Sequence, residues 1–238
     1  MREQEPPFKF APEVTVVPVW DLGVRFFHWA LVALIITSVV SIKYGKIDVH
    51  VWSGYGVLSL LVFRILWGFL GGTHARFASF IAGPGRVFAY MRGMFSRSGH
   101  EVGLGHNPMG ALSVLAMLLV LLFQAVSGLF TNTEDFAFDG PLYKWVGKDW
   151  SDKITTLHRI NEKVIYALVA LHLGAILFYF VWHKDNLVGS MITGYRKVQG
   201  AVSEARHGST VLAVILLAVA VGVVYLVVNS VKLFGKGG

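Results

Sequence analysis

The sequence predicts an all-α membrane protein, a bundle of four transmembrane helices followed by a fifth, C-terminal one. Three observations predict it. Hydrophobic residues make up 55 % of the 238 and charged residues only 15 %, where a soluble domain carries about 25 % charge. Mean hydropathy is positive, at +0.60. Apolar stretches close to the ~20 residues that cross a hydrocarbon core of ~30 Å recur along the chain.

Taken in order, the opening residues hold Glu3, Glu5, Pro6, Pro7, Pro12, Glu13 and Pro18. This acidic, proline-rich composition is wrong for a cleavable signal peptide, so the first span is expected to be an uncleaved anchor. That span runs from Phe26 to Ile42 and the second from Val51 to Leu70. The third, Met109 to Phe130, follows Asn107 and Pro108, a capping residue and then a proline suited to a first helical turn. The fourth runs from Ile160 to Trp182 and the fifth from Val211 to Val228. No repeat or low-complexity tract divides the chain. The expected organisation is a cytoplasmic arm over 1–18, a four-helix domain over 19–195, and a connecting segment with the extra helix over 196–238.

Lys and Arg in the connections set the expected orientation. One side gathers Arg2, Lys9, Arg25, Arg76, Arg86, Arg92, Arg97, Lys184, Arg196, Lys197 and Arg206. The other gathers Lys43, Lys46, Lys144, Lys148, Lys153, Lys232 and Lys236. The richer side stays in the cytoplasm, which puts the N-terminus inside and the C-terminus in the periplasm of a bacterial inner membrane. The formal charge of +7 then reflects topogenic loops, and nucleic acid is not an expected partner.

Chemistry must come from residues other than cysteine, which is absent. That excludes disulfides, thiolate metal sites, iron–sulfur clusters and covalent c-type haem. Histidine is the available ligand. His158 and His172 lie fourteen residues apart at the fourth span. At 100° per residue they fall about 40° short of four turns, so both rings leave one face, about 21 Å apart along the axis. His28 opens the first span, which starts where the fourth ends; His50 opens the second, which starts where the fourth starts. Depth therefore pairs His28 with His172 and His50 with His158, whichever end is cytoplasmic.

Two His pairs at two levels of a helical bundle predict two b-type haems, each with an imidazole on either face. Arg64 and Arg159 are ionisable residues in or beside a span that need partners. Haem propionates would serve both, and Arg64 could alternatively snorkel. Gly54, Gly56, Gly68 and Gly128 would allow a macrocycle or a neighbouring helix to approach closely. His74, His100, His106, His183 and His207 are expected to be solvated or at headgroup level, with His74 and His106 as candidates for quinone protonation. The seven tryptophans mostly mark span ends. No Walker loop, HExxH or GxSxG motif is present.

Several segments resemble the prokaryotic cytochrome b561 group, which is related to the cytochrome b subunit of nickel-iron hydrogenases. They are Val19-Trp20-Asp21-Leu22-Gly23-Val24-Arg25-Phe26-Phe27-His28-Trp29, His50-Val51-Trp52-Ser53-Gly54-Tyr55 and Phe63-Arg64-Ile65-Leu66-Trp67-Gly68. Gly105-His106-Asn107-Pro108-Met109-Gly110, Ser127-Gly128-Leu129-Phe130, Leu157-His158 and Asn186-Leu187-Val188 continue the likeness, followed by Met191-Ile192-Thr193-Gly194. The resemblance implies a four-helix di-haem core with His28, His50, His158 and His172 as axial ligands. It also implies electron exchange between the quinone pool and a c-type cytochrome or periplasmic enzyme subunit. The fifth span lacks histidine and departs from that pattern; it is expected to face lipid or to dock another subunit.

The expected function is thus a membrane di-haem b-type cytochrome between quinone and a periplasmic redox partner. An acidic loop from Thr131 to Asp152 would dock a basic partner. The competing expectations are a haem-free anchor subunit of a respiratory complex and a transporter using buried His and Arg. The lack of inverted repeats or broken helices counts against the transporter.

Overall fold

The computed structural model describes residues 14–94, 105–133, 138–199 and 205–234. Most of the N-terminal arm, His100, Arg97, Glu134, Asp135 and Lys236 lie outside the described residues. The elements in order are β1 (Val14–Pro18), α1 (Leu22–Lys43), α2 (Ile47–Leu70), α3 (Phe77–Phe80), α4 (Pro84–Gly93) and α5 (Pro108–Gly128). Then follow β2 (Asn132–Thr133), β3 (Phe138–Asp139), α6 (Tyr143–Val146), α7 (Lys148–Trp182), α8 (Leu187–Thr193), β4 (Tyr195–Gln199) and α9 (Thr210–Phe234).

Five of these helices, α1, α2, α5, α7 and α9, are long and apolar enough to cross a membrane. They carry outward-facing apolar side chains such as Ile36, Phe69, Leu119, Leu171, Leu177, Val211 and Val214. Water would penalise such a surface and a lipid hydrocarbon would not.

The central helix is α2. It packs against α1, α5 and α9, while α5 packs on α7. Its Leu61, Phe63 and Trp67 are almost wholly enclosed. Because neither α1 nor α2 is closely packed against α7, the bundle keeps space between α7 and the other two histidine-bearing helices. The fifth helix does not stand apart: Leu216, Ala220 and Val224 are buried, which seals one face of α9 onto α2 and leaves the other for lipid.

Of two expected helix starts, one holds and the other shifts. Asn107 does cap α5, its Oδ1 accepting from Gly110 N at 2.7 Å, with Pro108 in the first turn. The fourth span, however, begins twelve residues before Ile160, at Lys148, an extension of about 18 Å. Polar bonds hold it there. Ser151 Oγ donates to the Phe130 carbonyl at 2.7 Å, Asn132 N donates to Thr155 Oγ1 at 3.1 Å, and Asn132 Nδ2 to Asp152 Oδ1 at 2.9 Å. Hydropathy is blind to a polar extension of an apolar helix.

At the opposite end, β1 and β4 form an antiparallel pair that runs from Val14 opposite Gln199 to Pro18 opposite Tyr195. Gly194 makes the junction. It ends α8 at φ 88°, a left-handed value that suits glycine, and its carbonyl accepts from Val19 N and Trp20 N at 2.8 and 3.1 Å. The arm and the segment after α8 are thereby joined.

Candidate functional site

His50 and His158 face each other across the space between α2 and α7. The reversal from α1 to α2 passes through Gly45 at φ 68°, a conformation open to glycine, and sets the first turn of α2 against the end of α1. His50 Nδ1 lies 2.9 Å from the Ser38 carbonyl and 3.0 Å from Ser38 Oγ. On the other wall, His158 Nδ1 lies 3.0 Å from Ser127 Oγ and His158 Nε2 lies 3.1 Å from Gln124 Nε2. Gly128 makes room for this ring, since a Cβ there would stand 3.3 Å from His158 Cε1. The two imidazole centres are 6.4 Å apart and their planes cross at 83°.

A cavity of about 460 Å³ surrounds the pair, with Gly54, Tyr55, Gly128, Arg159 and Glu162 among its walls. The residues fit haem. His50 and His158, with ring centres 6.4 Å apart, are the residues that would hold it. Among the described residues no three His, Asp or Glu gather to hold a bare ion. Two opposed imidazoles in a roomy, mostly apolar cavity suit iron carried in a macrocycle.

His28 and His172 come together at the other end of the bundle. They lie close enough to interact electrostatically, and both are half-buried. His28 Nδ1 is buried with no hydrogen-bond partner, an open position that costs energy unless something engages it.

The two arginines part company. Arg159 lines the His50–His158 cavity. Arg64 sits toward the His28 end, only 2 % exposed, with its guanidinium 5.1 Å from the centre of the Phe77 ring and Nη1 unpartnered. The snorkelling alternative for Arg64 is thus corrected: α3 and the Phe77 ring cover it, so it cannot reach the surface. The glycines divide as well. Gly54 and Gly128 line the cavity, whereas Gly56 and Gly68 leave space for Leu34 and for the Phe77 ring respectively.

The expectation that His106 is solvated is also corrected. Its ring lies 4.7 Å from Trp20 and 4.6 Å from Phe80 between ring centres, and its Nδ1 is buried and unpartnered. Burial first, then the nearby cations of Arg64 and His74, push this imidazole down to about 3. His74 is lowered too, by burial and by His207. Nothing in the spacing of the sequence signals this cluster, because the enclosing residues come from three separate connections.

Known proteins resemble this chain. A family model described as prokaryotic cytochrome b561 matches residues 19–194. A probable Ni/Fe-hydrogenase B-type cytochrome subunit from Rhizobium leguminosarum bv. viciae is 26 % identical over 218 residues, covering 76 % of this chain and 88 % of its own. A probable Ni/Fe-hydrogenase B-type cytochrome subunit from Rhodobacter capsulatus is 25 % identical over 214 residues, covering 76 % and 82 %. The probable Ni/Fe-hydrogenase 1 B-type cytochrome subunit of Escherichia coli (strain K12) is 25 % identical over 163 residues, covering 62 % and 68 %. No solved structure matches. With five apolar helices and a family match over most of its length, the chain belongs to the prokaryotic cytochrome b561 family and is a multi-pass membrane b-type cytochrome.

Proposed function

We propose that the chain holds two haem b groups, one between His50 and His158 and one between His28 and His172, and passes electrons between the quinone pool and a periplasmic redox partner. The observation that carries this reading is the opposition of the His50 and His158 rings, 6.4 Å apart, in a cavity of about 460 Å³. A haem held by two such imidazoles would supply outer-sphere, one-electron chemistry. The protein's part is to hold the imidazoles, to keep the surroundings apolar, and to place Arg159 and Arg64 where propionate charge needs a cation.

The hydrogenase cytochrome subunits among the relatives favour a hydrogenase as the partner, and a c-type cytochrome is the other candidate. Docking would use the end that carries His50 and His158, where Asp139, Asp149 and Asp152 belong to the acidic connection. The bias of Lys and Arg supports placing that end in the periplasm of a bacterial inner membrane, with the N-terminus in the cytoplasm.

The test is a reduced-minus-oxidised visible spectrum with a pyridine haemochrome assay on detergent-purified protein. Two haems b per chain are expected. A colourless protein would overturn the reading and leave a haem-free anchor subunit in its place.

A further inference from the structure

Four side chains around the His50–His158 pair form a closed hydrogen-bond circuit whose directions are all determined. Asn161 Nδ2 donates to the Val120 carbonyl at 3.1 Å and to Gln124 Oε1 at 2.7 Å. Both acceptors lack a proton, so the Asn161 amide has one orientation. Gln124 must then turn its own Nε2 toward His158, which it meets at the ring Nε2 at 3.1 Å. An amide NH₂ only donates, and so His158 Nε2 carries no proton and accepts.

The contact at the other ring nitrogen agrees with this. Ser127 Oγ donates its single proton to the Gln124 carbonyl at 3.0 Å. Toward His158 Nδ1, 3.0 Å away, it can therefore only accept. Both lines make His158 the Nδ1–H tautomer with a bare Nε2, the form in which a neutral imidazole binds a metal. His50 reaches the same state through the backbone, because its Nδ1 must donate to the Ser38 carbonyl at 2.9 Å.

The two rings are thus fixed in rotation as well as in tautomer, with their planes 83° apart. We propose that Ser127 is a positioning residue for the haem held by His50 and His158: it fixes the His158 ring crossed to His50 and presents Nε2 to iron. The Ser38 carbonyl does this for His50, and Gln124 marks the position, since iron at Nε2 replaces the hydrogen bond that Gln124 makes. The inference rests on the proposed ligation by this pair. It predicts the electronic structure of the centre. Each imidazole donates electron density into one iron d orbital of π symmetry; crossed rings raise both orbitals equally, whereas parallel rings split them.

The experiment uses the full chain in detergent as wild type, Ser127→Ala and Ser127→Thr. It measures haem content, the low-spin electron paramagnetic resonance signal of the oxidised protein, and haem retention on dilution. The wild type is expected to show the strongly anisotropic signal of crossed imidazoles at this centre. Ser127→Ala is expected to shift that signal toward the rhombic form and to weaken retention of this haem about tenfold. Ser127→Thr, which keeps a hydroxyl, is expected to restore both. A Ser127→Ala protein with unchanged signal and retention overturns the assignment while leaving the ligand pair standing. If Ser127→Ala loses this haem entirely, recovery of the crossed signal in Ser127→Thr supports the assignment, and loss in both variants overturns it. A wild type without haem at this pair overturns the assignment together with the ligation beneath it.

Discussion

The indole N–H of Trp67 donates to both carboxylate oxygens of Asp21, at 3.1 and 3.2 Å, in a site where Trp67 is fully enclosed and Asp21 is 6 % exposed. The same carboxylate caps α1 by accepting from Val24 N at 2.9 Å and also accepts from Gly72 N at 3.3 Å. One side chain therefore ties the start of α1 to the end of α2 and to the loop beyond it. That junction sets where His28 stands relative to the rest of the bundle.

Replacing Asp21 by Ala removes a helix cap and leaves a buried indole N–H without an acceptor. The expected loss is about 2–4 kcal/mol, and Asp21→Asn, which keeps an acceptor oxygen, should lose less. Thermal unfolding of the detergent-solubilised variants checks the order wild type, then Asn, then Ala.

Ligand pairing predicts non-additive haem loss. His50→Ala and His158→Ala are each expected to lose one haem, and the double variant to lose no more than either single one. His28→Ala and His172→Ala should behave in the same way at the other centre. A pyridine haemochrome count across the six proteins reads this out. A double variant such as His50→Ala with His158→Ala that loses both haems would break the pairing.

Arg64 and Arg159 are expected to raise the reduction potential of the centre nearest each, because a cation favours the more negatively charged reduced form. Arg64→Gln should lower the potential of the centre held by His28 and His172, and Arg159→Gln that of the other. A shift of roughly 60 mV corresponds to one decade in a one-electron equilibrium constant. The buried Arg64 is expected to show the larger effect, since the exposed Arg159 is screened by water. A potentiometric titration followed in the visible region measures both.

His106 predicts acid sensitivity. Burial holds its imidazole down at about 3 in the folded protein, against the ordinary imidazole value of 6.5. The unfolded chain therefore binds a proton below about pH 6.5 that the folded chain refuses. Stability from this residue is fully present above that value and falls as the pH drops toward 3, by about 1.4 kcal/mol per pH unit. Going from pH 7 to pH 5 should cost about 2 kcal/mol. In His106→Phe, where nothing titrates between Trp20 and Phe80, the unfolding midpoint should depend less on pH over that range.

Charge reversal in the acidic connection tests docking. Asp149→Lys with Asp152→Lys is expected to slow reduction of a basic partner at low salt and to have little effect at high salt, where screening removes the steering. Stopped-flow reduction of a basic c-type cytochrome at two ionic strengths measures it. Equal rates for wild type and variant at low salt would exclude this loop as the docking surface.

Much of the architecture could be read from the chain because two simple periodicities carry it. Apolar length gave five spans, since a hydrocarbon core imposes about 20 residues on any helix that crosses it. Helical geometry put His158 and His172 on one face, and the alternation of directions sorted the four histidines by depth without any knowledge of contacts. Segments such as Phe26-Phe27-His28-Trp29 and Phe63-Arg64-Ile65-Leu66-Trp67-Gly68 sufficed to indicate the family.

Only the tertiary structure decided what lies between the elements. The polar extension of α7 depends on Ser151, Asn132 and Thr155 finding one another across a loop. The enclosure of Arg64 and His106 depends on Phe77, Phe80 and Trp20 converging from separate connections. The Ser127–His158 and Ser38–His50 bonds depend on ring rotation, which no spacing specifies. Helix period and membrane thickness are local constraints written in consecutive residues, whereas a hydrogen bond across a bundle is set by the packing of the whole, so the sequence pairs the four histidines by depth and the fold orients their rings.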